Sequence, residues 1–160
     1  MRTVAASVCV VALIAVFTGS GAARPASTSR LALTTRETAL IVAVNSVRRL
    51  HFLPKLRIDR RLVRAARSHS RDMLRHHYFA HGNFAQRMTR FGVRGTTFAE
   101  NLVWSSGVMS ANAAVAQWLA SPPHRANLLD PHLRRIGVAT PVGAFGGFST
   151  ATMITADFAG

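Results

Sequence analysis

The hydrophobic period of this chain shifts along its length, from apolar residues three and four apart to apolar residues roughly two apart, and that shift limits the folds open to it. In the first stretch Leu40, Ile41, Val44 and Val47 recur at helical spacing behind a T-x-x-E capping box made by Thr34 and Glu37. A helix is predicted from Thr35 to Leu50. Pro54 breaks His51 to Ile58 into a loop, and Asp59 is placed to accept backbone N–H bonds at the start of a second helix. On that helix Leu62, Val63, Ala66, His69, Met73 and Leu74 form one face, with Arg60, Arg64, Arg67 and Arg71 mostly on the other. Such a charge row reads as a solvated face.

Beyond His81 the punctuation becomes denser. Gly82-Asn83 marks a turn, and Phe84, Met88 and Phe91 suggest a short helix stopped by Gly92. Thr96 to Trp104 alternates β-branched and aromatic residues and reads as a strand containing Glu100. Ser110 caps a further helix with Ala114, Val115, Trp118 and Leu119 on its face, ended by Pro122-Pro123, because a residue before proline is pushed out of the α region. Arg135 to Val142 and Phe148 to Phe158 read as strands separated by a flexible GAFGG stretch, Gly143 to Gly147. Helices early, strands late and short links between strands give an α+β fold with an antiparallel sheet.

With 160 residues, 49% of them apolar, the chain suffices for one core. Residues 1–23 read as an export signal: Arg2 is the charged start, Val4 to Phe17 is apolar, and Gly21-Ala22-Ala23 offers small residues for cleavage. Residues 24–33 read as a linker, leaving 34–160 as the domain. The apolar stretch falls short of the roughly 20 residues a spanning helix needs, so no integral span is expected after cleavage, a retained anchor being the alternative. Cys9, the only cysteine, lies in that stretch behind Val8, where a lipoprotein site would have a small residue. Stability must therefore come from packing, despite an oxidising destination outside the cytoplasm or in the cell envelope.

The formal charge is +14 and nearly all of it is arginine, Lys55 being the only lysine. Such a charge favours polyanions: anionic lipid headgroups or phosphorylated envelope polymers for an exported chain. Coding bias and solubility offer the competing explanation. Nucleic acid is not an expected partner, since no aromatic-interleaved basic module or zinc finger is present. A monomer is expected.

Several strings then occur in a fixed order. They are ARSHSRDM (Ala66 to Met73), YFAH (Tyr78 to His81), Arg87, AEN (Ala99 to Asn101), W-x-x-S-P-x-H-R-x-N-L-L (Trp118 to Leu129) and RRIGV (Arg134 to Val138). In this the chain resembles the CAP superfamily (cysteine-rich secretory proteins, antigen 5, pathogenesis-related 1), and in particular its small bacterial secreted members of the SCP-domain type. The resemblance runs from about Leu40 to Phe158. It implies a three-layer α-β-α sandwich with a small antiparallel sheet, and a cleft built on two histidines and two acids. By position His81 and His124 match the histidines and Glu100 the first acid, while Ser121 stands where many animal and plant relatives carry the second. Relatives from those lineages are commonly disulfide-bonded, which this chain cannot be once its signal is removed.

Two neutral imidazoles suit zinc or another divalent metal, with water completing the coordination sphere. That makes His81 and His124 the candidate metal ligands. Glu100, the candidate catalytic residue, is then a further ligand, an orienter of an imidazole N–H, or a base acting on bound water. The competing reading is a hydrogen-bonded His/Glu pair that fixes a loop on a strand. His69 reads as a buried histidine, Trp104 and Trp118 as core anchors, Tyr78 and Phe79 as supports beneath His81, and Asn101 and Asn127 as groups that satisfy backbone at turns. Arg125 either pairs with Asp130 or points to water. Three functions are open: a ligand-binding module for a lipid or anionic polymer, a metal-dependent extracytoplasmic hydrolase or peptidase using His81, His124 and Glu100, or a structural or signalling role in the envelope in which the cleft is a relic.

Overall fold

The computed structural model describes residues 31–160. The export signal expected over 1–23, and residues 24–30 of the expected linker, lie outside the described residues. In chain order the elements are α1 (Thr35–Leu50), β1 (Arg57–Ile58), α2 (Arg60–His76), α3 (Phe84–Arg90), β2 (Phe98–Ser106), α4 (Ala111–Ala120), α5 (Pro122–Leu129), β3 (Arg135–Ala139), β4 (Val142–Phe145) and β5 (Phe148–Ala159). Local chemistry sets their starts. Thr34 and Glu37 close the capping box on α1, while Asp59, Asn83 and Ser110 each accept a backbone N–H at the heads of α2, α3 and α4. Among the described residues no helix is long and apolar enough to cross a membrane.

The sheet runs β1-β3-β5-β2, with β4 also on β5. β5 carries the most pairings: β2 takes one flank, and β3 then β4 take successive halves of the other. All pairs are antiparallel except β1 with β3. Along β5 the side chains alternate. Ile154, Ala156 and Phe158 pack into a core with Leu40, Val44, Val115, Trp118 and Leu128 from α1, α4 and α5. Met153, Thr155, Asp157 and Ala159 take the opposite face, towards α2, where Ser70 Oγ meets Thr155 Oγ1 at 2.7 Å. The result is the three-layer α-β-α sandwich with a small, mostly antiparallel sheet.

Several expectations are corrected. The loop predicted to Ile58 ends in β1, because Arg57 and Ile58 pair with Arg135 and Ile136. Pro122-Pro123 does end α4 but also opens α5, occupying its first positions, where a missing N–H costs nothing. The stretch read as flexible holds most of β4, and only Gly146 and Gly147, both at positive φ, turn the chain into β5. Trp118 is buried and donates Nε1–H to Leu102 O at 3.0 Å. Trp104 is only half-buried, edge-on to Phe145 in a smaller cluster. Arg67, assigned to a solvated face, instead grips the buried Glu37 carboxylate at 2.5 and 2.7 Å and so joins α2 to α1.

Arg48 is fully buried and has no carboxylate partner among the described residues. Its guanidinium donates to the carbonyls of Pro54, Leu128, Asp130 and Leu133, fixing the end of α1, the end of α5 and the approach to β3 in one place. Burial pulls its pKa down, with Arg134 adding to the effect and Asp130 opposing it. On the other side of the sheet, β3 lies so close to α2 that a Cβ at Gly137 would come within 2.1 Å of the Leu62 carbonyl carbon and the Val63 nitrogen. Backbone cannot yield as a side-chain tip does. Gly137→Ala is therefore expected to destabilise the domain by about 3 kcal/mol or more in urea denaturation, and a loss below about 1 kcal/mol would mean that this contact does not set the layer spacing.

Candidate functional site

Glu100 sits on β2 with its side chain directed at α2 and α3, 7% exposed. Both of its oxygens are engaged. Oε1 accepts from His81 Nδ1 at 2.7 Å, and Oε2 is held by the Arg87 guanidinium of α3. Arg87 also donates to His81 O at 3.1 Å, so the loop carrying His81 is clamped by side chain and backbone together. The His81 ring itself stays 58% exposed. The carboxylate accepts from Nδ1–H, so in the neutral ring the lone pair is on Nε2, which has no partner among the described residues.

Beneath Glu100 lies a residue that sequence reasoning missed. Asp157 of β5 is the direct cross-strand partner of Glu100 and has no exposed surface. Among the described residues neither of its oxygens has a hydrogen-bond partner, and the one ion-pair contact is with Arg87, 3.9 Å from Oδ1. Burial pushes its pKa well up, and the neighbouring Glu100 charge pushes it further against the pull of Arg87. A signal for it did exist: it is the only charged residue in the otherwise apolar and small run from Phe148 to Gly160.

His124 reaches the same end of β2 from α5. Asn127 donates to Glu100 O at 3.2 Å and to Asn101 Oδ1 at 2.8 Å, and Asn101 donates to His124 O at 2.9 Å. These amides seat α5 on β2. His124 Nδ1 lies 2.9 Å from Ser121 Oγ, which again leaves Nε2 without a partner among the described residues. Burial lowers the His124 pKa and His81 lowers it further, which reflects how near the two rings are. Of the residues singled out from sequence, His81 and Glu100 are thus in contact, His124 is beside them, and Ser121 touches His124.

A polar cavity of about 230 Å³ adjoins this network, walled in part by His69, Asp72, Tyr78 and Arg87. His81, Glu100, Ser121 and His124 are not among its walls. His69 is buried, bonded through Nε2 to Ala80 O at 3.0 Å and 3.8 Å from Glu100, and its pKa is lowered by burial and then by Arg87. Tyr78 Oη donates to Asp72 at 2.7 Å, and burial with that bond lifts its pKa to about 12. Phe79 is 43% exposed. Arg125 is exposed and leaves Asp130 to His132.

Among the described residues no three His, Cys, Asp or Glu side chains form a group able to enclose a cation. What the donor set fits is a pair of imidazoles, each turned through Nδ1 with Nε2 free. Glu100 has its oxygens committed and stands as the orienter of His81.

An α-β-α sandwich carrying a His/Glu network at one end of its sheet defines a class, and sequence comparison gives it a family. The chain matches the CAP, or cysteine-rich secretory protein, family over residues 41–158, and it belongs to that family. It is 33% identical over 107 residues to protein YkwD of Bacillus subtilis, itself uncharacterized, and 32% identical over 110 residues to the membrane protein YlbC of the same organism. Those matches take in 64% and 66% of this chain but only 41% and 31% of the two relatives. Among solved structures, an extracellular SCP-domain protein of Bacillus anthracis superposes with a TM-score of 0.62 at 27% identity, over 78% of this chain and 40% of its own. An outer surface protein of Borrelia burgdorferi gives 0.67 at 20% identity, over 79% and 94%.

The buried Asp157 makes a pH prediction. A carboxyl whose folded pKa is raised contributes stability that is fully present below its ordinary value of 3.8 and is lost as pH climbs towards the folded value. Asp157→Asn keeps the shape and cannot ionise. Its stability relative to the parent should therefore rise as the pH increases above about 4 in urea titrations; a difference that stays flat above that pH would show that Asp157 ionises freely.

Proposed function

We propose that this CAP domain works outside the cytoplasm as a binding module for an anionic lipid or polymer of the cell envelope, with the His/Glu network as a recognition site rather than a hydrolytic centre. One observation carries the reading. Glu100, the carboxylate in contact with His81, uses one oxygen to hold His81 and the other to hold Arg87, and its side chain is only 3% exposed, so its charge is already compensated and water has little access to it. Where a second acid would stand, Ser121 occupies the position and bonds His124. The likeness to an extracellular SCP-domain protein of Bacillus anthracis supports the location.

Zinc or another divalent cation would be held by the Nε2 atoms of His81 and His124, and would supply Lewis-acid character there. The same geometry favours a second reading, a metal-dependent hydrolase or peptidase, on one point: His81, oriented through Nδ1 at 2.7 Å, keeps a free Nε2. Turnover tells them apart. The binding reading expects the purified protein to retain inorganic polyphosphate or phosphatidylglycerol vesicles over phosphatidylcholine vesicles, with retention falling as salt rises. It expects no zinc-stimulated cleavage of peptide or ester panels. Cleavage that Glu100→Gln abolishes would instead establish the hydrolase, and failure to retain either anion would end the binding reading.

A further inference from the structure

On the outer side of α2, where it meets α3, a groove of about 480 Å³ is lined by five arginines: Arg64, Arg67, Arg71, Arg75 and Arg90. They are not equivalent. Arg67 is neutralised by Glu37, whereas Arg64, Arg71, Arg75 and Arg90 are exposed and pair with no carboxylate among the described residues. Asp72 is the one acid on the lining, and its oxygens are taken up by Tyr78 Oη at 2.7 Å and His76 Nδ1 at 3.0 Å. Four free guanidinia thus face one groove with a single, already engaged carboxylate.

Their placement narrows the ligand. Arg64, Arg71 and Arg75 share one stripe of α2, with axial steps of roughly 10 Å and 6 Å at 1.5 Å per residue. Arg90 faces them from α3, its guanidinium 5.9 Å from the Phe91 ring that also lines the groove. Guanidinium forks bind phosphate oxygens in pairs, and a row of them is satisfied at once only by an anion that repeats its charge along a line. A flat bilayer surface meets the rim of a groove but cannot place headgroups against both walls. The groove also shares Ser68, Asp72, Arg90 and Phe91 with the polar cavity beside Glu100, so a chain lying in it would run towards the network.

From this arrangement we infer that the α2/α3 groove binds a linear phosphate-bearing polymer, held by Arg64, Arg71, Arg75 and Arg90. The inference rests on the binding-module reading and gives it a place and a ligand class. Binding of long-chain inorganic polyphosphate is measured against salt for the parent, for Arg71→Gln/Arg75→Gln and for Arg49→Gln/Arg125→Gln. The last removes two exposed arginines outside this lining, so the net charge change is the same.

The groove variant should lose about tenfold or more in affinity at moderate salt and flatten the log–log salt slope by about 2, while the control shifts less than about twofold. Polyphosphate binding that both variants weaken equally would overturn the groove assignment and leave the binding-module reading standing. Binding to phosphatidylglycerol vesicles but not to polyphosphate, with the same arginine dependence, would reassign the groove to a membrane surface. No binding to either anion would remove both readings.

Discussion

Register places the carboxyl groups of Glu100 and Asp157 directly opposite each other on neighbouring strands, on a sheet face closed off from water. Like charges in that arrangement repel, and low dielectric magnifies the cost. The fold answers with one guanidinium and with a carboxyl whose pKa is raised by burial. Arg87 binds Glu100 and lies 3.9 Å from Asp157, while burial and the Glu100 charge favour the protonated form of Asp157. Much of the site's order depends on this solution. Arg87 is on α3, so α3 is drawn onto the sheet, and the same residue and Glu100 together hold the His81 loop.

The second histidine depends on different chemistry. β2 is an edge strand of the sheet, and an open edge presents unpaired carbonyls. Asn127 of α5 takes the carbonyl of Glu100 itself, and Asn101 takes the carbonyl of His124. One strand residue thereby joins both halves of the site, through its side chain to His81 and through its backbone to α5. At the far end of α5, Arg48 accounts for the carbonyls of Leu128 and Asp130 that a helix terminus leaves unpaired. The buried cation thus fixes the rear of the helix whose front carries His124.

Local signals on the chain are strong where a helix begins. Thr34, Asp59, Asn83 and Ser110 each sit one residue before a helix they cap, because a short polar side chain has few other uses at that point. Legibility fails where an element is defined by its partner. β1 is a strand only because Arg57 and Ile58 meet β3, and nothing in two residues announces that. Pro122-Pro123 carries both meanings, stop and start, and only the stop is visible without knowing that α5 packs on β2. At the site, the order of motifs points to His81, Glu100 and His124, but the pairing of Glu100 with Asp157 is a consequence of register 57 residues away in sequence and has no local trace. Arg87 stands in between, present in the motif order yet without a role until its contact with Glu100 is seen.

Charge distribution links the fold to the proposed ligand. The chain has six acidic residues against twenty basic ones, and every acid is used internally. Glu37 holds Arg67, Asp59 caps α2 and binds Arg135, Asp72 takes Tyr78 and His76, Asp130 takes His132, and Glu100 and Asp157 share Arg87. Only Asp72 lies among the outer arginines of α2, one carboxylate against four guanidinia. A surface charge that could be neutralised by a neighbouring glutamate contributes little to long-range attraction, whereas uncompensated guanidinia along one helix add their fields over about a Debye length, roughly 8 Å in physiological salt. The carboxylates that build the interior and the cations left outside are therefore two sides of one allocation. It gives the domain a packed core without cysteine bridges and an outer face predisposed to anions, with Glu37, Glu100 and Asp157 buried inside.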